Sequence, residues 1–293
     1  MIFRPIKLIP VLFAGAIMLA SCETKPADPA AMTDNTNSGN AQNGAVKSII
    51  YSIPAPMEMV SLIKSTGAQF DKAILNPVDK ARTYTGETAQ AINLGIYGSD
   101  LSYASMFDQK QEAMNYLAAV QQLANALQVS DALGNDILER LDKYQNDRDS
   151  LLNIVSMAYA DMNDYLKENK RESISAMVIA GGWIEGLYLA TYYASQQPGG
   201  DLKQRVAEQK LSLGNLIKLL ESYNDSRLAD LLADLGQIKA LFDEASTSTA
   251  KATATKDEQG TVTIGGGTSV NISDDTLQKI TLKIKEIRIK YVS

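Results

Sequence analysis

Residues 173–200, SISAMVIAGGWIEGLYLATYYASQQPGG, decide the fold. The stretch opens near Ser173, runs apolar and small for most of its length, and stops at Gln197-Pro198-Gly199-Gly200, a strong helix terminator. It therefore reads as one long helix. Gly181, Gly182 and Gly186 lie inside it, and glycine costs about 1 kcal/mol in a helix interior relative to alanine. The ordinary compensation is close packing, since two backbones approach tightly where a side chain is missing. The functional alternative is room for a ligand beside the aromatic residues.

A second stretch, Gly86–Phe107, resembles the first at a shift of 86 residues. Gly95-Ile96-Tyr97 matches Gly181-Gly182-Trp183, Ile92 matches Val178, Leu101 matches Leu187, Ala104 matches Ala190 and Phe107 matches Tyr193. Further on, Gly134-Asn135-Asp136-Ile137 resembles Gly214-Asn215-Leu216-Ile217. Tyr144-Gln145-Asn146-Asp147 likewise resembles Tyr223-Asn224-Asp225, at a shift near 79. These matches predict an internal duplication, with copies at 86–170 and 172–245. Repeated helical units bury their apolar faces by stacking on one another.

Helical signals fill the rest of the body. A short helix follows Pro54-Ala55-Pro56 and closes near Gly67; Asn76-Pro77 is a break. Residues 109–127 place Ala113, Tyr116, Leu117, Val120, Leu123, Ala124 and Leu127 on one face. A shorter helix is expected over 132–144, a long one from Asn146-Asp147 to about 170, one over 201–223 capped by Asp201, and one from Asn224-Asp225 to about 245. The expected class is all-α: a multi-helix bundle or stacked helical repeat within one domain, 47–293. Thr261-Val262-Thr263-Ile264 and Thr268-Ser269-Val270-Asn271-Ile272 flank three glycines and predict a small β-hairpin over 261–272. The last segment, 274–292, carries both a helical stripe (Leu277, Ile280, Ile284, Ile287, Tyr291) and strand-like alternation. Ser273 and Asp274 are good N-caps and Lys290 suits the helix dipole, so a helix is expected. Its basic face is Lys279, Lys283, Lys285, Arg288 and Lys290.

Candidate ligand-binding residues are those on the two glycine-bearing helices: Tyr97, Asp100, Tyr103, Trp183, Glu185 and Tyr188. Asp100 and Glu185 offer carboxyls to fix a polar group, or to satisfy tyrosine hydroxyls in a core. Two acids 5–9.5 Å apart across a cleft would suit glycoside cleavage.

The chain holds no histidine. This excludes Ser-His-Asp and Cys-His catalysis, imidazole zinc sites and the Glu-x-x-His di-iron pattern. No catalytic motif, metal site or cofactor is expected. The Gly265-Gly266-Gly267 loop lacks the lysine and spacing of a phosphate cradle. Net charge is −6 over 28 basic and 34 acidic residues, which disfavours nucleic acid as a partner.

The N-terminus is a different kind of text. Arg4 and Lys7 precede an apolar run, Leu8–Ala20, too short to span a bilayer. It ends in Leu19-Ala20-Ser21-Cys22, and Cys22 is the only cysteine. These residues resemble the signal of bacterial lipoproteins. The resemblance implies removal of residues 1–21, acylation of Cys22 and anchorage to a membrane through that lipid. Loss of Arg4 and Lys7 would leave 26 basic and 34 acidic residues, net −8. Glu23, rather than Asp, favours the outer membrane. Residues 22–46 are rich in Pro, Asn, Ser, Gly and Gln and read as a flexible leash. Beyond it, the body is similar to the helical lipoproteins of Gram-negative envelopes. The expectation is a lipid-anchored, non-catalytic module for a protein or small-molecule ligand in the envelope. The alternatives are a carboxylate-dependent envelope enzyme, such as a glycan-cleaving lipoprotein, and a purely structural envelope component.

Overall fold

A computed structural model describes residues 56–130, 137–144, 147–196, 200–256 and 262–293. The signal, Cys22, the leash and residues 47–55 lie outside them. Among the described residues the protein is all-α with one two-stranded ribbon. The helices are α1 (Pro56–Ser65), α2 (Glu87–Met106), α3 (Lys110–Ala126), α4 (Ile137–Lys143), α5 (Arg148–Glu168), α6 (Glu172–Gln196), α7 (Asp201–Ser222), α8 (Ala229–Asp243) and α9 (Asp274–Val292). Short 3-10 turns cover Lys72–Ile74, Val78–Arg82 and Ser226–Leu228.

Helix α6 is the hub. It packs on α1, α2, α5, α7 and α9. It is long and apolar enough to cross a membrane by composition, with a mean hydropathy of 1.3, yet 89% of that window is buried inside the fold. Its apolarity serves packing on all sides.

The contact of α6 with α2 explains two glycines. The helices run in the same direction, with Ile92 against Gly181, Gly95 against Val178 and Gly182, and Tyr103 against Tyr193. A Cβ on Gly95 would overlap the carbonyl oxygen of Val178, and one on Gly181 would overlap that of Ile92. Ser99 Oγ also donates across the contact to Gly182 O at 3.1 Å. Close packing is thus the role of Gly95 and Gly181. Gly186 differs: it is buried, but a Cβ there would meet nothing within 4 Å.

Three helices end alike. After α2, α3 and α5, a non-glycine residue adopts the left-handed conformation: Asp108 (φ 59°), Gln128 (φ 57°) and Lys170 (φ 57°). In each, the next N–H reaches back to a carbonyl five residues earlier, as Gln109 to Ala104 (2.9 Å), Val129 to Ala124 (2.9 Å) and Arg171 to Leu166 (2.7 Å). This is the Schellman closure, usually built on glycine.

Three expectations need correction. The hairpin does not lie within 261–272. Strand β2 (Val262–Asn271) takes in Val262–Ile264, the three glycines and Thr268–Asn271 on one strand, and pairs antiparallel with β1 (Ser246–Lys256). Alternating Ser, Thr and Ala in β1 carry β-branched residues at a strand period with few apolar markers, and the glycines sit opposite a register shift between Ala250 and Thr253. Asp201 is not a cap: Gly200 occupies that position without a side-chain bond, and Asp201 lies in the first helical turn, where its charge complements the dipole. The basic face of α9 is largely neutralised. Lys279 pairs with Asp275 and Glu244, Lys283 with Glu286 and Lys290 with Asp234, and Arg288 is buried in the core. The helix assignment for 274–292 holds, with Ser273 accepting from Thr276 N.

Candidate functional site

Asp100 on α2 and Glu185 on α6 face the same interior point, and both are fully buried. Asn76 N donates to Asp100 Oδ2 at 3.1 Å. Arg288 of α9 donates from Nε to Glu185 Oε2 at 2.6 Å, and its guanidinium lies 4.4 Å from the centre of the Tyr188 ring. Asp100 Oδ1 and Glu185 Oε1 receive no hydrogen bond. Burial, and then the neighbouring Glu185 charge, hold Asp100 well above the ordinary carboxylate range. A proton on Asp100 would leave one carboxylate facing one guanidinium, a neutral cluster. Burial opposes the Arg288 charge, but Glu185, with Asp100 and Tyr188 adding to it, outweighs burial and keeps the guanidinium ionised.

The expected acid pair is therefore assembled, but in closed packing. A glycosidase arrangement needs a gap that admits sugar and water; both of these side chains are closed off from solvent.

The candidate tyrosines also serve the interior. Tyr97 donates to Pro77 O at 2.7 Å, and Trp183 Nε1 donates to Gln209 Oε1 at 3.2 Å. Tyr84, Asn93 and Lys80 reach the last carbonyls of α9, at Val292, Tyr291 and Val292. They complete the C-terminus of a helix whose end would otherwise lack partners. The expectation that Asp100 and Glu185 satisfy tyrosine hydroxyls fails. Other acids do so: Asp71 accepts from Tyr192 (2.9 Å) and Asp234 from Tyr291 (2.6 Å).

Tyr103 leads outward, one helical turn beyond Asp100. Asp71 N donates to Tyr103 OH (2.9 Å), Tyr103 and Tyr193 share a hydrogen bond of 2.5 Å, and Tyr193 donates to Gln69 O (2.7 Å). Since Tyr193 gives its proton to Gln69, Tyr103 must donate to Tyr193. The chain of bonds has one direction and fixes the loop after α1 to the end of α6.

Above this floor lies a cleft of about 340 Å³, lined by Thr66, Gly67, Ala68, Gln69, Phe70, Asp71, Tyr192, Tyr193 and Gln196. Gly67 makes the turn at its edge: its φ of +81° is a left-handed conformation that closes α1. Asp71 Oδ1 caps the Lys72–Ile74 turn through Ala73 N at 2.9 Å. The hydrogen bond to Asp71, then burial, raises the Tyr192 hydroxyl above its usual range. Of the candidates named from sequence, Tyr103 supports the cleft floor; Asp100, Glu185, Trp183, Tyr97 and Tyr188 form the core beneath. Sequence reasoning named neither Asp71 nor Gln69, which carry no motif and meet Tyr192 and Tyr193 only in the fold.

Among the described residues, no group of three His, Cys, Asp or Glu is placed to hold a metal ion. Comparison with protein-family models, with curated proteins and with solved structures finds no match.

Proposed function

We propose that the chain is a lipid-anchored module of a bacterial cell envelope that binds its ligand non-catalytically in the cleft between residues 66–71 and the end of α6. The tether rests on Leu19-Ala20-Ser21-Cys22, with the outer membrane favoured by Glu23. The binding role rests on one observation: the floor of the cleft is fixed in advance by the bonds from Asp71 N through Tyr103 and Tyr193 to Gln69 O. A surface ordered before the ligand arrives loses less entropy on binding. The ligand is a small molecule or a segment of an envelope protein. The closed packing around Asp100 and Glu185 gives the glycan-cleaving alternative no support.

The internal duplication belongs to the same proposal. Ile92 matches Val178 and Gly95 matches Gly181 in sequence, and the contacts are reciprocal: Gly95 meets Val178, and Gly181 meets Ile92. Two copies related by a local two-fold axis meet in this manner.

Two measurements test the reading. Mass spectrometry of the membrane-extracted protein should find an acylated Cys22 as the first residue; a free thiol there or a retained Met1 contradicts the tether. NMR of the full chain in detergent, with a set of small amines, sugars and carboxylates, should shift signals of residues 66–71 and 192–196. Shifts only elsewhere, or none, contradict the cleft.

A further inference from the structure

The chemistry of the cleft identifies a class of ligand, on the reading that the cleft is a binding site. Three aromatic residues line it. The rings of Tyr192 and Tyr193 meet at 88° with centroids 5.1 Å apart, forming a corner, and Phe70 is stacked on Tyr103 at 5.1 Å and 27°. Asp71 carries the only formal charge in the lining; no Lys or Arg contributes to it.

That carboxylate has no cationic partner among the described residues. The lysines nearest in sequence are engaged elsewhere: Lys72 with Glu112 at 2.6 Å, and Lys64 with Asp108 at 2.8 Å and with Met106 O. Asp71 is also held in place, Oδ1 by Ala73 N and Oδ2 by the Tyr192 hydroxyl, and each oxygen keeps a lone pair. The Tyr192 hydroxyl gives its proton to Asp71, so it faces a ligand as an acceptor.

A fixed carboxylate beside aromatic faces, with an acceptor beside it and no positive charge, selects for a cation. Ring quadrupoles attract ammonium groups over their faces, and aromatic corners of this kind are used for that purpose. The protein's net negative charge draws cations toward it and repels anions. We propose that the cleft binds an organic ammonium group, carried either by a small polyamine or by a lysine side chain, with Asp71 as counter-ion and Tyr192 as the aromatic wall.

The test is calorimetric titration of the full-length acylated protein in detergent with cadaverine, a lysine-containing tripeptide, glucose and acetate. NMR shifts at 66–71 and 192–196 locate each bound probe. Cadaverine or the tripeptide should bind, with affinity falling as salt rises, and glucose and acetate should not. The tighter of the two amines identifies the source. Asp71→Asn keeps an oxygen to cap Ala73 N, and its Nδ2 can donate to the Tyr192 hydroxyl in place of the bond that Oδ2 accepted, so the charge is removed with the side chain still held at both ends; it should weaken amine binding at least tenfold. Tyr192→Leu should do the same, and Tyr192→Phe, which keeps the ring, should retain binding within a few-fold. Equal affinity in wild type and Asp71→Asn overturns the ammonium assignment. Glucose or acetate at the cleft with no amine binding overturns it too, while leaving the cleft as a binding site. No probe shifting any cleft residue overturns both.

Discussion

Arg288, on the last helix, donates from Nε to Glu185 Oε2 at 2.6 Å inside the core, across 103 residues of sequence. Both side chains are withdrawn from water, at 9% and 0% exposure. Attraction in such a pair roughly offsets desolvation, but removing one partner strands the other charge. Arg288→Ala should therefore cost about 3–5 kcal/mol in urea unfolding. Arg288→Met combined with Glu185→Gln should recover most of that. A single-variant cost under about 1 kcal/mol, the scale of an exposed pair, would show that the guanidinium is not buried against Glu185.

The acid pair sets a pH dependence. An unfolded aspartate titrates near 3.9, whereas native Asp100 is raised well above that by burial and Glu185. The folded state therefore binds the proton more tightly. That contribution is complete at pH below the unfolded value and is lost as pH rises through the raised native value. Buried tyrosines such as Tyr97 and Tyr116, also raised by burial, add to the loss only at strongly alkaline pH. Asp100→Asn keeps an acceptor for Asn76 N and supplies an N–H for Glu185 without titrating. Unfolding measured against pH should show the variant gaining on wild type as pH rises. Parallel curves would mean that Asp100 holds no proton.

The glycines of the two central helices should behave differently from one another. Gly95→Ala and Gly181→Ala force a methyl group into opposing backbone, and overpacking of this kind costs about 1–3 kcal/mol or more. Gly236→Ala, on an exposed helical position with open space around the new Cβ, should stabilise by about 1 kcal/mol. Thermal melting of the three variants checks the order. Equal melting of Gly95→Ala and wild type would contradict the close α2–α6 contact.

Most of the helical frame was legible because apolar stripes and stop signals agree. Ser173–Gln196 carries both, and Gly67 and Asn76-Pro77 mark breaks that the structure keeps. The ribbon was misplaced because Ser246–Lys256 is almost free of apolar residues, so its period had no contrast. Asp100 and Glu185 were recognised as a pair from their helices, but burial is a tertiary fact and the sequence left cleft and core open. Arg288 reads as part of a basic face; only its place beside the Ile284 and Ile287 stripe hints that it turns inward. Asp71 and Gln69 gave no local signal, since the tyrosines whose hydroxyls they accept lie more than a hundred residues away on α6.

The helix ends supply a further prediction. Gln128 and Lys170 hold left-handed backbone that costs an L-residue roughly 1–2 kcal/mol and glycine little. Gln128→Gly and Lys170→Gly should each leave stability equal or raise it by up to about 1 kcal/mol, despite the greater freedom of the unfolded glycine. A loss above 1 kcal/mol in either, by urea unfolding, would contradict the left-handed closure.

The central claim is that ligand meets this protein at the cleft beside Asp71 and Tyr192, while Asp100 and Glu185 hold the core together beneath it. Hydrogen exchange of the full acylated chain, with and without saturating cadaverine, separates the two. Slower exchange confined to residues 66–73 and the last turns of α6 is the expected result. Slower exchange around Asp100 and Glu185 without change at the cleft, or no change anywhere, would contradict it.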